Sequence, residues 1–231
     1  MNDRDLDDLL KRAASASPDV DPGLLDRIAH SVETARPVHP LAPAWVLTGG
    51  LVAVCVAVAI AGALILGPHG VRKMSTADIV VIFPVVGLLI WLAAALCAAE
   101  AVPGSRRPVA PWVLCVCGCL APALVFGLLF HDYSTERFVH QGLACLTAGL
   151  AQAVPAAAGT WWILRRGFAV NSIAAGFAQG ALAGLAGLAM LELHCPNFEA
   201  PHVIVWHVGV VPVSGALGML IARFRPARPP A

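Results

Sequence analysis

Six runs of apolar residues, at 45–66, 77–99, 111–130, 142–164, 169–193 and 202–222, each hold about twenty residues, and none contains Lys or Arg. That length suits a helix crossing a hydrocarbon core of roughly 30 Å. Backbone in lipid has no water to bond, so each run must satisfy its own amides and carbonyls, and a helix does this. The sequence therefore predicts an all-α integral membrane protein of six transmembrane helices, preceded by a short polar tail. Composition agrees, since 58% of residues are hydrophobic and only 13% charged, against about 25% charged in a soluble domain.

Basic residues fix the orientation, because Lys and Arg near helix ends are retained on the cytoplasmic side. Arg4, Lys11, Arg12, Arg27, Arg36, Arg106, Arg107, Arg165, Arg166, Arg223, Arg225 and Arg228 fall in the two termini and the second and fourth loops. Only Arg72, Lys73 and Arg137 fall in the odd-numbered loops. Both termini are thus expected inside. The chain divides into a cytoplasmic tail at 1–42, a six-helix membrane domain at 43–223 and a short cytoplasmic end at 224–231. A long tail of mixed charge precedes the first run, so that run reads as a retained helix rather than a cleaved signal.

A net charge of +1 averages basic inner loops against an Asp-rich tail, and it points neither to direct nucleic-acid binding nor to an acidic substrate. The chain lacks a phosphate-binding G-x-x-x-x-G-K-S/T loop, a G-x-G-x-x-G turn, an H-E-x-x-H helix and a G-x-S-x-G elbow. The commonest motif-borne chemistries are absent with them. No enzyme is expected.

The tail reads as two short amphipathic helices. Leu6, Leu9, Leu10 and Ala13 recur at helical spacing behind Asp3, Asp5, Asp7 and Asp8, which lie at the positive end of the helix dipole. A second segment opens at Asp21-Pro22, a capping residue followed by proline, and carries Leu24, Leu25, Ile28 and Val32 on one face. Two apolar stripes on a segment too short to bury them are suited to a groove on another protein. The alternative occupant is membrane lipid, but surface-seeking helices carry Lys and Arg on the polar face, whereas the first helix carries Asp.

Proline interrupts four runs, at Pro84, Pro122, Pro155 and Pro212, which predicts kinks. Gly176, Gly180, Gly184 and Gly187 give the fifth run a small-residue face for close helix approach, either inside one chain or between copies in a homo-oligomer. A solute or metal-ion transporter normally keeps charged groups near the midplane. Here the charged exception noted is Glu192, near the outer end of the fifth run, which disfavours that class.

His69, His131, His140, His194, His202 and His207 all fall at or beneath the outer face, with Cys145 and Cys195 at the same level. Imidazole and thiol are borderline and soft metal ligands, and Glu192 adds a carboxylate at the same level. His202 and His207 are five residues apart, about 140° around an α-helix, so the two are not expected to face one ion from a single stripe. Cys145 and Cys195 are open to a disulfide, a metal-binding pair or a redox-sensing pair in an oxidising compartment, with His194, His131 or His140 as partners. Cys55, Cys97, Cys115, Cys117 and Cys119 sit in apolar runs and read as packing. A thiolate beside imidazolium is also an activated nucleophile, so a membrane thiol oxidoreductase or acyltransferase using Cys195 and His194 is the alternative.

The chain resembles the NrsF-type negative regulators of sigma factors, six-pass anti-sigma factors of the bacterial inner membrane. Asp7-Asp8-Leu9-Leu10, Phe130-His131-Asp132-Tyr133, Gly142-Leu143-Ala144-Cys145, Glu192-Leu193-His194-Cys195-Pro196, His202 and Trp206-His207 carry the likeness. The resemblance implies a cytoplasmic tail that holds an extracytoplasmic-function sigma factor inactive. It implies that periplasmic cysteines, here Cys145 and Cys195, perceive metal or oxidative stress. No cofactor is required on this reading, and heavy metal binds transiently.

Overall fold

The structure, a computed structural model, describes Asp8, Lys11, residues 22–34 and residues 41–224 except 103, 137, 168 and 170. It falls into two units, Met1–Pro40 and Leu41–Ala231.

In the first unit, α1 spans Pro22–Glu33. It begins where the sequence places it, because proline is preorganised for the first helical position. Leu24, Ile28 and Val32 recur every fourth residue and are exposed at 42%, 51% and 70%, so the second tail helix carries an uncovered apolar stripe. The helix expected around Leu6, Leu9 and Leu10, and the side chain of Leu25, lie outside the described residues.

The second unit contains six helices long and apolar enough to cross a membrane: α2 (Ala44–Leu66), α3 (Thr76–Ala101), α4 (Pro111–Leu129), α5 (Phe138–Leu164), α6 (Ser172–His194) and α7 (Ala200–Arg223). Hydropathy located all six and missed some ends, for local reasons. α5 starts at Phe138 rather than 142, because His140 and Gln141 lower the hydropathy without breaking the helix. α6 starts at Ser172 rather than 169, where the Asn171 side chain accepts from the Ala174 amide at 3.0 Å and satisfies an otherwise orphaned donor. α3 opens on a capping box between Ser75 and Asp78. It also runs on to Ala101, which buries Glu100 and pairs it with Arg107 Nε at 2.6 Å.

α6 is the core of the bundle: 67% of its apolar span is buried, against 39% or less for the others. Leu182, Leu185, Leu188 and Leu191 have no exposed surface. Its most extensive contact is with α7, and the glycines explain how near the two come. A Cβ on Gly180 would overlap the Ser214 carbonyl and stand 3.0 Å from Gly215 Cα; one on Gly187 would overlap the Gly149 carbonyl of α5. The small-residue face therefore packs inside the chain.

Neutral polar side chains of the core bond to carbonyls. Gln152 Nε2 donates to the Val58 carbonyl and Gln179 Nε2 to the Ala157 carbonyl at 3.1 Å. Such bonds matter where no water competes. Trp45, Trp112 and Trp162 are exposed at the helix ends flanking the basic loops, with Arg165 stacked 3.7 Å from the Trp162 ring centre. That is the aromatic belt of a membrane interface.

The odd-numbered loops gather at the opposite end. Gly70 N donates to the His194 carbonyl at 3.0 Å and Val71 N to Leu193 at 3.1 Å, so the first loop caps the last carbonyls of α6. Gly70 is required there, since a Cβ would lie 2.6 Å from the carbonyl oxygens of Glu192 and Cys195. Ala200 N donates to the Asp132 carbonyl at 2.7 Å and ties the third loop to the start of α7.

Candidate functional site

Four of the candidate side chains converge. Cys145 lies in the second turn of α5, Cys195 directly follows α6, and His202 and His207 come from the first turns of α7. One ligand atom from each lies within 4.8 Å of all the others. Cys145 Sγ stands 3.5 Å from Cys195 Sγ, and Cys195 Sγ stands 3.7 Å from His202 Nε2. Both cysteines are free thiols.

The expectation that His202 and His207 cannot share a side is overturned. Val203–His207 form a π-helical turn, in which hydrogen bonds close over five residues instead of four. Residues five apart then return to the same face, and the two rings meet edge to face with centroids 5.2 Å apart. The 140° offset holds only for a regular α-helix. Two ligand-type residues at a five-residue interval were the available signal, since π-turns inside α-helices are frequent at functional sites.

Behind the cluster stands Glu192. Its Oε1 accepts from His207 Nδ1 at 2.7 Å, with both side chains wholly buried. A buried ionisable pair in a membrane bundle is costly and marks function. The bond also fixes the ring, leaving His207 Nε2 buried without a hydrogen-bond partner; His202 Nδ1 and Glu192 Oε2 are likewise unpartnered. Buried polar atoms in that state are rare in folded chains.

Cys195 sits outside the helices. Its hydrogen bond with Cys145, and then its burial, push the thiol above the ordinary range, with His202 and His207 acting the other way.

Three sequence candidates stand apart. His194 directs Nδ1 to the Gly67 carbonyl at 2.8 Å and its ring lies 5.9 Å from His69, so it braces the first loop rather than facing the adjacent Cys195. Backbone direction, not sequence adjacency, decides which imidazole meets the thiol. His131 and His140 are exposed and do not join the cluster. Cys55, Cys97, Cys115, Cys117 and Cys119 are also outside it. An open depression of about 410 Å³ is lined by Asp132, Gln141, Pro196, Asn197, Phe198 and Glu199.

Residues 32–225 fit the family model described as NrsF, negative regulator of sigma F. No curated protein and no solved structure matches the chain.

Proposed function

We propose, from the premise that the chain belongs to the NrsF family of negative regulators of sigma F, that it is a multi-pass anti-sigma factor of the bacterial inner membrane. Its tail, residues 1–42, holds an extracytoplasmic-function sigma factor inactive on the cytoplasmic side. Release follows when Cys145 and Cys195, facing the periplasm, react with a thiophilic metal or an oxidant.

The observation that carries the sensing half is the 3.5 Å separation of the two sulfurs inside a bundle whose other cysteines lie elsewhere. From that distance, oxidation to a disulfide needs the sulfurs to close by about 1.5 Å. A soft cation needs almost no movement to bridge them. The holding half is supported by the stripe of Leu24, Ile28 and Val32 on α1, an apolar face of the kind that docks into a partner's groove.

Co-purification tests the holding half. The full-length chain, expressed with its partner sigma factor in unstressed cells, retains that factor on the membrane, and Leu24→Asp with Ile28→Asp releases it. Retention unchanged in this double variant would contradict the docking role of α1.

A further inference from the structure

A tetrahedral zinc ion, with Zn–S about 2.3 Å and Zn–N about 2.0 Å, holds two sulfurs about 3.8 Å apart and a sulfur and nitrogen about 3.5 Å apart. Cys145 and Cys195 present their sulfurs at 3.5 Å, and Cys195 and His202 present sulfur and nitrogen at 3.7 Å. Both of these pairs are within a few tenths of an ångström of what one ion demands, and all four ligand atoms lie within 4.8 Å of one another, so closing on one ion draws the wider-set donors inward by about 1 Å. The fourth donor, His207, is fully buried with Nε2 unpartnered and Nδ1 fixed by Glu192. A ligating histidine characteristically gives its second ring nitrogen to a carboxylate in this way.

We propose that Cys145, Cys195, His202 and His207 form a closed zinc(II) site, loaded in the unstressed protein, with Glu192 as the carboxylate that orients His207. An S₂N₂ tetrahedron selects zinc among the common divalent ions. Four protein ligands leave no open coordination position, so the site is structural or sensory and not catalytic. The zinc is resident in the unstressed protein, and transient heavy-metal binding of the kind expected from sequence acts by displacing it.

The site also accounts for the π-turn. His202 and His207 face one ion only while Val203–His207 keep their five-residue hydrogen bonding, so zinc and the local form of α7 are linked. The signalling consequence rests on the sensing role proposed above. Cadmium displaces zinc by its greater affinity for thiolate. A hydroperoxide takes two electrons from the two thiolates, which join as a disulfide, while two protons and the peroxide oxygens leave as water and alcohol, or as two waters from hydrogen peroxide. In both cases zinc leaves, and the first turns of α7 lose the ion that fastens them to α5 and α6.

The test uses the full-length chain purified in detergent, with metal content measured by mass spectrometry, before and after chelation and reloading with zinc alone. One zinc per chain is expected, falling below a tenth of that in Cys195→Ser and in His207→Ala. Deletion of Val205, which is exposed, converts the interval between the histidines from five residues to four. That keeps both on one face of a regular helix, and the zinc is retained. A wild-type chain that carries no zinc and takes up none would overturn the site. So would cobalt(II) loading that gives no thiolate charge-transfer band, a readout independent of how any variant folds. Loss of zinc from the Val205 deletion at unchanged helix content would overturn the shared-face geometry. Sigma-factor retention, measured on the same preparations, separates the two ideas: normal retention without zinc removes the site alone, whereas zinc without retention removes the anti-sigma reading alone.

Discussion

Glu192 and His207 meet at 2.7 Å in the interior of the bundle, on neighbouring helices, with neither side chain reaching the surface. The pair couples the last turn of α6 to the π-turn of α7 and points the free nitrogen of His207 toward the two thiols. Removing one member of a buried pair strands the other, at about 3–5 kcal/mol. Glu192→Ala is therefore expected to destabilise the bundle by that order in a reversible unfolding titration. Glu192→Gln keeps a carbonyl oxygen for the His207 N–H and is expected to fold, at a smaller cost. A Glu192→Ala chain as stable as wild type would contradict the structural weight given to this pair.

The contact of α6 with α7 makes a second prediction. Gly180→Val places branched carbons where even one Cβ meets the Ser214 carbonyl, and overpacking of this kind costs about 1–3 kcal/mol or more. Gly87 on α3 has nothing within 4 Å of a built Cβ, so Gly87→Ala is the matched control. Yield of folded protein in detergent and resistance to proteolysis should fall for the first substitution and stay unchanged for the second.

The membrane architecture was legible because lipid imposes both a length and a hydrogen-bonding rule, and runs such as 45–66 and 111–130 satisfy them with little ambiguity. Helix ends were less legible, since capping by Asn171 and continuation through His140 and Gln141 are local polar events that hydropathy does not register. For the site, residue types at one membrane level were enough to pick out Cys145, Cys195, His202 and His207 as candidates. Their grouping was not, for two physical reasons. A spacing argument built on 3.6 residues per turn places His202 and His207 apart, and the π-turn breaks that assumption. His194 follows Glu192 and precedes Cys195 in the chain, yet the capping of α6 by the first loop turns its ring to Gly67. The Glu192–His207 bond is tertiary and had no sequence signal beyond two ionisable groups at the same level.

Orientation is tested by reporter fusions. Fusions at Gly104 and Arg166 are expected to be active as cytoplasmic reporters, and fusions at Ser134 and Asn197 as periplasmic ones. A periplasmic signal at Arg166 would invert the bundle and place the thiol and imidazole cluster on the wrong side of the membrane for a periplasmic sensor.

The central claim is that chemistry at Cys145 and Cys195 governs the hold on a sigma factor. The direct measurement is the amount of sigma factor retained on membranes before and after cadmium or hydrogen peroxide, in the wild-type chain and in the Cys145→Ser, Cys195→Ser double variant. The wild-type chain is predicted to lose its sigma factor on treatment, and the double variant, present in the membrane at normal level, to hold the same amount with and without stress. Stress-dependent release from the double variant equal to that of wild type would contradict the account.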